Sequence, residues 1–555
     1  MGVASASLKD TFQLRLLRRL GGAVFATRLS TLLLPRQAPL ELPVLPDDPW
    51  PGSTANADRL FQGRFLFAGV EVLSPHAAPW SNPATLTPEQ LNLDRDSFAA
   101  WAAELHGFAW LRDFAAQGGD MAQRMSRSLV QSWLDHHQRI HGLAWRADIA
   151  GRRLMHWLGH GHFLLQAADE RFAHDFLLGI ARHAAYLKYA APLAPPGLPR
   201  LSALLALAYA AECLPQENAK KGAAIRDLCA TLESQILADG GHVSRNPAQV
   251  LTILRDVVAL WRFLRAIDPE GAALLQPFLD RMAPMLRFFR HGDGGLALFH
   301  GSEEANPAQI DQVLELSEAK GKPLSSASLS RFERATARRS LLLIDVGSPP
   351  PPVIGARPHR GLLAFEFSHA KDRLVVNCGS PRRLGGSWAA ALSGIAAHST
   401  LMLGQLEPSP LAQVSTRRNE QDGAVWFEME HDGWSEAFQG RLHRRRLYLS
   451  ASGEDLRGEE TVTPPRSDGM PVEAVLRLHL HPSVQASALG SGDAVILKSG
   501  SGQGWRFRSS GGVLRLEESV YFGSGGEARR TQQIVISGFA GAQPLVLKWA
   551  LTKVG

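Results

Sequence analysis

The segment DGGHVSRNP, residues 239–247, places His242, Arg245 and Asn246 within five positions. An arginine fork presents parallel N–H donors that fit a carboxylate or sulfate. His242 supplies a group that titrates near neutrality, and the Asn246 carboxamide can both donate and accept. Together these types suit recognition of an acidic ligand with a proton-transfer group beside it. They also suit a plainer role, because His and Asn in a glycine-rich turn satisfy backbone groups. Asp239 and Glu233 are the acids near this loop. An inverting hydrolase needs two carboxylates about 6.5–9.5 Å apart, and nothing in the sequence pairs these two. Arg152 and Arg153 follow Trp145 in a helical segment, where they either add positive charge to the same site or are solvated. The run Arg444–Arg446, with Arg441 before it and Tyr448 after it, predicts a solvated strand face. His479 and His481 alternate with leucines, which puts both on one face at a core edge.

The elements that must carry these groups change type once along the chain. From about residue 95 to 300 apolar residues recur at helical spacing, as in Met125, Leu129, Val130, Trp133 and Leu134, or Leu254, Val257, Val258, Trp261 and Leu264. Loops with Pro and Gly separate these runs, at 192–199, 240–247 and 292–295. Many amphipathic helices on short connections need a partner layer, which a ring of helices supplies. Near residue 320 the texture shifts. Residues 321–330 are small and polar, and 349–352 are four prolines that no helix interior or central strand can hold. Beyond them the period drops to two: Val425, Phe427 and Met429 alternate with Trp426, Glu428 and Glu430, and Leu476, Leu478 and Leu480 with Arg477, His479 and His481. Short strands with Gly/Ser/Asp turns predict an antiparallel β-sandwich.

The bulk properties bound the partners. A chain of 555 residues, 45% hydrophobic and 20% charged, is long enough for several packed cores and is neither disordered nor fibrous. A net charge of +6 favours an anionic partner through long-range attraction, although an excess this small can also be incidental. Nothing in it points to nucleic acid. Cys213, Cys229 and Cys378 are scattered, so neither a disulfide framework nor a thiolate zinc site is indicated. Arg15, Arg18 and Arg19 precede an apolar run that Arg28 interrupts, too short to span a bilayer and without a clear cleavage site. Oligomeric state is not legible.

Several segments in a shared order resemble the heparinase II/III-like family. They are WAAELHGFAWLRD at 101–113, WRADIAGRRLMHW at 145–157, DGGHVSRNP at 239–247, HRGLLAFEFS at 359–368, LVVNCG at 374–379, AHSTLMLG at 397–404 and HDGW at 431–434. The resemblance implies an N-terminal α/α toroid, an incomplete barrel of helix pairs, followed by a C-terminal antiparallel β-sandwich. The divisions expected from it are an entry segment at 1–94, the toroid at 95–320 and the sandwich at 321–555. The activity it implies is β-elimination on an anionic, uronate-containing polysaccharide such as a glycosaminoglycan, a carbon–oxygen lyase reaction. The location it implies is the cell envelope or periplasm, with the cytoplasm as alternative because no clear signal peptide is present.

Elimination needs a group that neutralises the uronate carboxylate, a base for the C5 proton and an acid for the leaving oxygen. Carried over by position, the family's tyrosine falls on Gln249 and its sandwich histidine on Arg357. Neither can act as an acid or base near neutral pH. If elimination survives, the resemblance leaves His242 as base or acid and Asn246 or Arg245 as carboxylate neutraliser, with Gln249 beside them. Arg245, Arg357, Arg153 and Trp145 would then contact substrate. The family's zinc ligands fall on His359, Asn377 and His398, so a weak structural zinc is expected there, unless the two histidines are simply hydrogen-bonded sandwich residues. The other reading is a non-catalytic or repurposed protein of cell-envelope polysaccharide metabolism that binds an anionic glycan.

Overall fold

The computed structural model describes residues 34–554 except 75–77, 82–86, 90, 92, 351–357, 381–385, 467–468, 491 and 526–527. As expected, helices come first and an antiparallel sandwich follows: the last helix before the sandwich ends at Leu316 and the first of its strands begins at Ser326.

By compactness the chain divides otherwise. One unit comprises the chain up to Gln235 together with Asp256–Pro277; the other comprises Ile236–Arg255 and Phe278–Gly555. The helices Pro247–Ile267 and Pro269–Phe288 each pass from one unit to the other. The DGGHVSRNP loop therefore belongs to the same unit as the sandwich.

In the first unit the sequence explains helix starts and packing alike. Asp94 caps Arg95–Gly107 by accepting from the amides of Asp96 and Ser97, and Asp169 caps Glu170–Leu193 through Phe172. Helix Ala147–Gly159 packs on Leu198–Cys213 and on Glu170–Leu193. Gly151 permits the first approach: a Cβ there would lie 2.6 Å from the Ser202 carbonyl oxygen. Trp101, Trp133 and Trp157 are buried, and Phe108 meets Trp157 edge-on at 5.5 Å. A small hairpin, Arg64–Phe67 with Val70–Leu73, completes this unit.

The second unit stacks two antiparallel sheets. Among the described residues one sheet has nine strands, in the order Val513–Tyr521, Arg529–Ala540, Val472–Leu480, Asp372–Val376, Phe365–His369, Ser340–Asp345, Phe332–Ala337 and Ser326–Ala327, with Leu401–Leu403 also on Val472–Leu480. The other has eight: Gln485–Ala488, Ala494–Lys498, Gly504–Ser510, Leu545–Lys553, Asp455–Val462, His443–Leu449, Ala424–His431 and Val414–Gln421. Phe365 and Phe367 from the first sheet and Phe427, Leu447 and Trp549 from the second share one apolar core. Phe365 and Trp549 stack at 5.6 Å.

The two sheets differ on their outer faces. Ser340–Asp345 and Phe365–His369 are buried on both faces, so Glu366, which alternates with core phenylalanines, is inside rather than in solvent. It accepts from the Leu298 amide, from His291 and from Asn377. Ala424–His431 instead keeps the expected alternation, with Trp426 exposed and Glu428 and Glu430 half-buried on the outer face. The arginine run needs correction. Strand pleating sends Arg444 and Arg446 outward to Glu430 and Glu428. Arg445 points inward, fully buried on Glu460. Arg441 is also buried, on the carbonyls of Thr463 and Gly541.

Candidate functional site

The 239–249 loop is held in place before any ligand is considered. Asp239 accepts from the amides of Gly241, Leu329 and Ser330 and from the Ser330 hydroxyl. It is therefore a loop anchor, and its oxygens are occupied by the backbone they hold. His242 is buried; its Nδ1 accepts from the Ser244 amide at 3.1 Å and meets the Ser244 hydroxyl at 2.7 Å. The Ser244 hydroxyl also reaches the Gln249 carboxamide oxygen at 3.1 Å. Burial pushes the His242 imidazolium down to about 4, so the ring is neutral at working pH.

Arg245 adopts a left-handed backbone, φ +61°, which turns its side chain into the unit. Its guanidinium donates to the carbonyls of Ser330, Arg331 and Ser348 and pairs with Asp345. The face of Phe332 lies 4.6 Å from its central carbon. Asp345 also accepts from His300 Nε2 at 2.7 Å and from the Gly347 amide. Burial alone would raise the Asp345 carboxyl, but the charges of Arg245 and His300 and these hydrogen bonds hold it below its ordinary value. Asn246 caps the helix that begins at Pro247: its Oδ1 accepts from the amides of Ala248 and Gln249, and its Nδ2 donates to the His300 carbonyl. Gly301, at φ +83°, lets this turn approach closely, since a Cβ there would lie 3.1 Å from His359 Nε2.

The three expected zinc ligands lie in the same unit. His359 Nδ1 and His398 Nε2 are 3.3 Å apart, a spacing that one N–H···N hydrogen bond explains. Asn377 is turned to other work: its Nδ2 donates to Glu366 and its Oδ1 accepts from the Ser399 amide. Among the described residues two imidazoles remain, with no carboxylate or thiolate completing the group, and that set does not fit a closed zinc site. Among the described residues the only His, Cys, Asp or Glu group of three with ligand-like spacing is Asp48, His156 and His160, in the other unit. There the Asp48 carboxylate already holds Arg112.

The expected substrate contacts from the helical segment have a different use. Arg153 is completely buried, donating to the carbonyls of His106 and Ala144 and to His183, with Trp133 3.9 Å beneath its guanidinium. Trp145 stacks on His183 and donates to the His137 carbonyl. Both knit the first unit together; neither Arg153 nor its ring partners are solvated as a free cationic patch would be. Arg357 lies outside the described residues.

A cavity of about 510 Å³ opens along the first turns of Pro247–Ile267, between Ala248, Thr252 and Arg255 on one side and Glu303, Glu304 and Asn306 on the other. Sequence reasoning missed the group behind it. Tyr521 donates to Glu304, and His481 Nε2 lies 3.4 Å from the same carboxylate. Burial would raise Glu304, but hydrogen bonds from His481 and Tyr521 and the nearby Arg373 bring it down to about 2. That carboxylate stays ionised, a poor acid and a weak base. Burial and the Glu304 charge likewise raise the Tyr521 hydroxyl well above its ordinary value. No sequence signal linked these residues, which are far apart in the chain.

Comparison with known proteins agrees with this architecture. Residues 319–550 match the family "Heparinase II/III-like, C-terminal". A crystal structure of heparinase III superposes with TM-score 0.66 at 13% identity, covering 82% of this chain and 78% of that one. A heparan sulfate lyase HepC mutant of Pedobacter heparinus superposes with TM-score 0.63 at 14% identity, over 98% and 88%. These likenesses establish the fold, a helical toroid with a β-sandwich. A curated relative, "FtsZ-localized protein C" of Caulobacter vibrioides (strain NA1000 / CB15N), is 29% identical over 94% of this chain and 92% of its own length.

Proposed function

We propose, from the match of residues 319–550 to the heparinase II/III-like C-terminal family and from the heparinase III fold of the chain, that the protein recognises an anionic, uronate-bearing envelope polysaccharide without cleaving it by elimination. One observation carries this reading: the loop residues that would have to do the chemistry are committed to holding the loop. Asn246 caps a helix, Arg245 is an ion pair with three further carbonyl bonds, and His242 is buried and bonded to Ser244. Gln249 has no proton to exchange near neutral pH. A carboxylate neutraliser must have donors left for substrate, and here the donors face inward.

The test is incubation with heparan, hyaluronan and alginate, followed by absorbance of a new C4–C5 double bond alongside direct binding by calorimetry. Binding that weakens as salt rises, with no double bond formed, is the expected result. Sustained double-bond formation that disappears in His242→Ala would restore the elimination reading.

The relative's name favours a place of action as well. That relative is named for localisation with FtsZ. We assign this chain to the same place: in its own host a fluorescent fusion should coincide with labelled FtsZ. A uniform signal through division would remove that assignment.

A further inference from the structure

The outer face of the eight-stranded sheet carries a trough of about 1050 Å³, and we propose that it is a glycan-binding site that takes an anionic oligosaccharide chain across the strands. This rests on the glycan reading above and says where and how the chain is held.

Strand register assembles the trough floor in rows. One row runs Asn419, Trp426, Tyr448, Arg457, Ala550, Arg508 across six neighbouring strands. At about 4.8 Å per strand the row spans roughly 24 Å, the length of a short oligosaccharide. Trp426 is 37% exposed, an unusual place for tryptophan on a face otherwise charged. Its ring centroid lies 5.0 Å from that of Tyr448, and the Arg457 guanidinium sits 5.8 Å from the tyrosine ring. Exposed rings on a rigid sheet offer flat apolar platforms for the C–H faces of pyranose rings, with little side-chain entropy to lose.

The adjacent row is a charge ladder. Arg417, Glu428, Arg446, Glu459 and Lys548 alternate in sign from strand to strand, with Arg446 bonded to both glutamates. Arg446 and Lys548 pair with the two glutamates of the ladder. Six cationic side chains and two carboxylates line the trough, but Arg457 is paired with Asp455, and Arg418 with Glu333 and Glu420. The positive charge left without an ion pair among the described residues is on Arg417 and Arg508, one at each flank of the rows.

Three features select the occupant. The cationic surplus attracts carboxylates or sulfates. The two ladder carboxylates, though bonded to Arg446 and Lys548, keep lone pairs that sugar hydroxyls can share and that a phosphodiester backbone, which has no donor, would only repel. The row's interior strands are hydrogen-bonded on both sides, so a peptide could not add main-chain bonds there as it does at a sheet edge. A hydroxyl-rich, acid-bearing chain meets all three conditions.

The test uses the full chain and a heparosan hexasaccharide, with a neutral N-acetylglucosamine hexamer, a polyglutamate peptide and single-stranded DNA as comparisons. Calorimetry should show the acidic hexasaccharide binding best. Trp426→Ala should weaken it at least tenfold with the melting temperature unchanged, Trp426→Phe should recover part of the loss, and Arg508→Ala should weaken it about fivefold and flatten the salt dependence. Hexasaccharide binding that Trp426→Ala and Arg508→Ala leave intact would overturn this site while sparing the glycan reading. No binding of any glycan by the wild-type protein would overturn both. Trp426-dependent binding of polyglutamate or DNA in preference to the hexasaccharide would also overturn it.

Discussion

Arg245→Ala is expected to cost about 3–5 kcal/mol of stability in the sandwich-bearing unit, because it strips a buried ion pair of one partner. The loss has three parts on the same residue. Asp345 would keep its charge in a buried pocket with only His300 and the Gly347 amide for partners. The carbonyls of Ser330, Arg331 and Ser348 would each lose their donor. Phe332 would lose the guanidinium over its ring. Because the loop is tied to Ser330 through Asp239 as well, the damage should spread to the 239–249 turn. Denaturant unfolding followed by circular dichroism reads the effect directly. Arg245→Lys, which keeps the charge but loses the planar fork, should fall between wild type and alanine. A midpoint unchanged in Arg245→Ala, together with lost glycan affinity, would mean that the side chain serves ligand and not fold.

Acid should unfold this protein earlier than its carboxylates alone would suggest. Burial holds His242 and His479 down at about 4 and, together with the charges of His300 and His479, His398 at about 3. In the unfolded chain each titrates near 6.5. Below that value the unfolded state binds protons that the native state refuses, so stability is complete above pH ~7 and falls continuously as pH drops toward 4. Three such groups make the loss on the order of 5–10 kcal/mol by pH 4, comparable to the whole stability of a domain. Glu460 acts lower down. Burial would raise it, but the Arg445 charge and hydrogen bonds from His443 and Arg445 hold it at about 2. Its contribution is present above the ordinary carboxylate value and is lost as pH falls from ~4.3 toward 2. Melting temperatures should therefore be level from pH 8 to 7 and drop steeply between 6.5 and 4.5. A flat profile through pH 4.5 would show that these rings are hydrated in the native state.

The periodicities made the order of layers readable, and the segments HRGLLAFEFS and LVVNCG were enough to suggest the family. Side-chain roles were harder. Asn246 looked like a ligand group because a helix cap and a substrate donor use the same carboxamide, and only the chain's path decides between them. Arg445 could not be told from Arg444 and Arg446 by composition; the alternation of the pleat decides it. Arg153 looked like free charge, yet the tryptophans around it are far enough away in sequence that no window joins them. Glu366 alternates with Phe365 and Phe367 as a solvent-facing residue would, yet another segment covers the sheet and buries it. The aromatic row of the trough was present in the alternation of Trp426 and Tyr448, but its meaning depends on two strands lying in register.

The crossing of two helices between the compact units bears on how such a chain could have been assembled. The polypeptide leaves the first unit after Gln235, returns at Asp256 and leaves again after Pro277. A recombination joint placed where helices give way to strands, near residue 320, would deliver a sandwich without the Arg245 that neutralises its Asp345 and without the His291 that bonds its Glu366. Exchange of that cassette between relatives would strand buried charges on both sides of the joint. A joint that kept Ile236–Arg255 and Phe278–Gly555 together would spare both pairs.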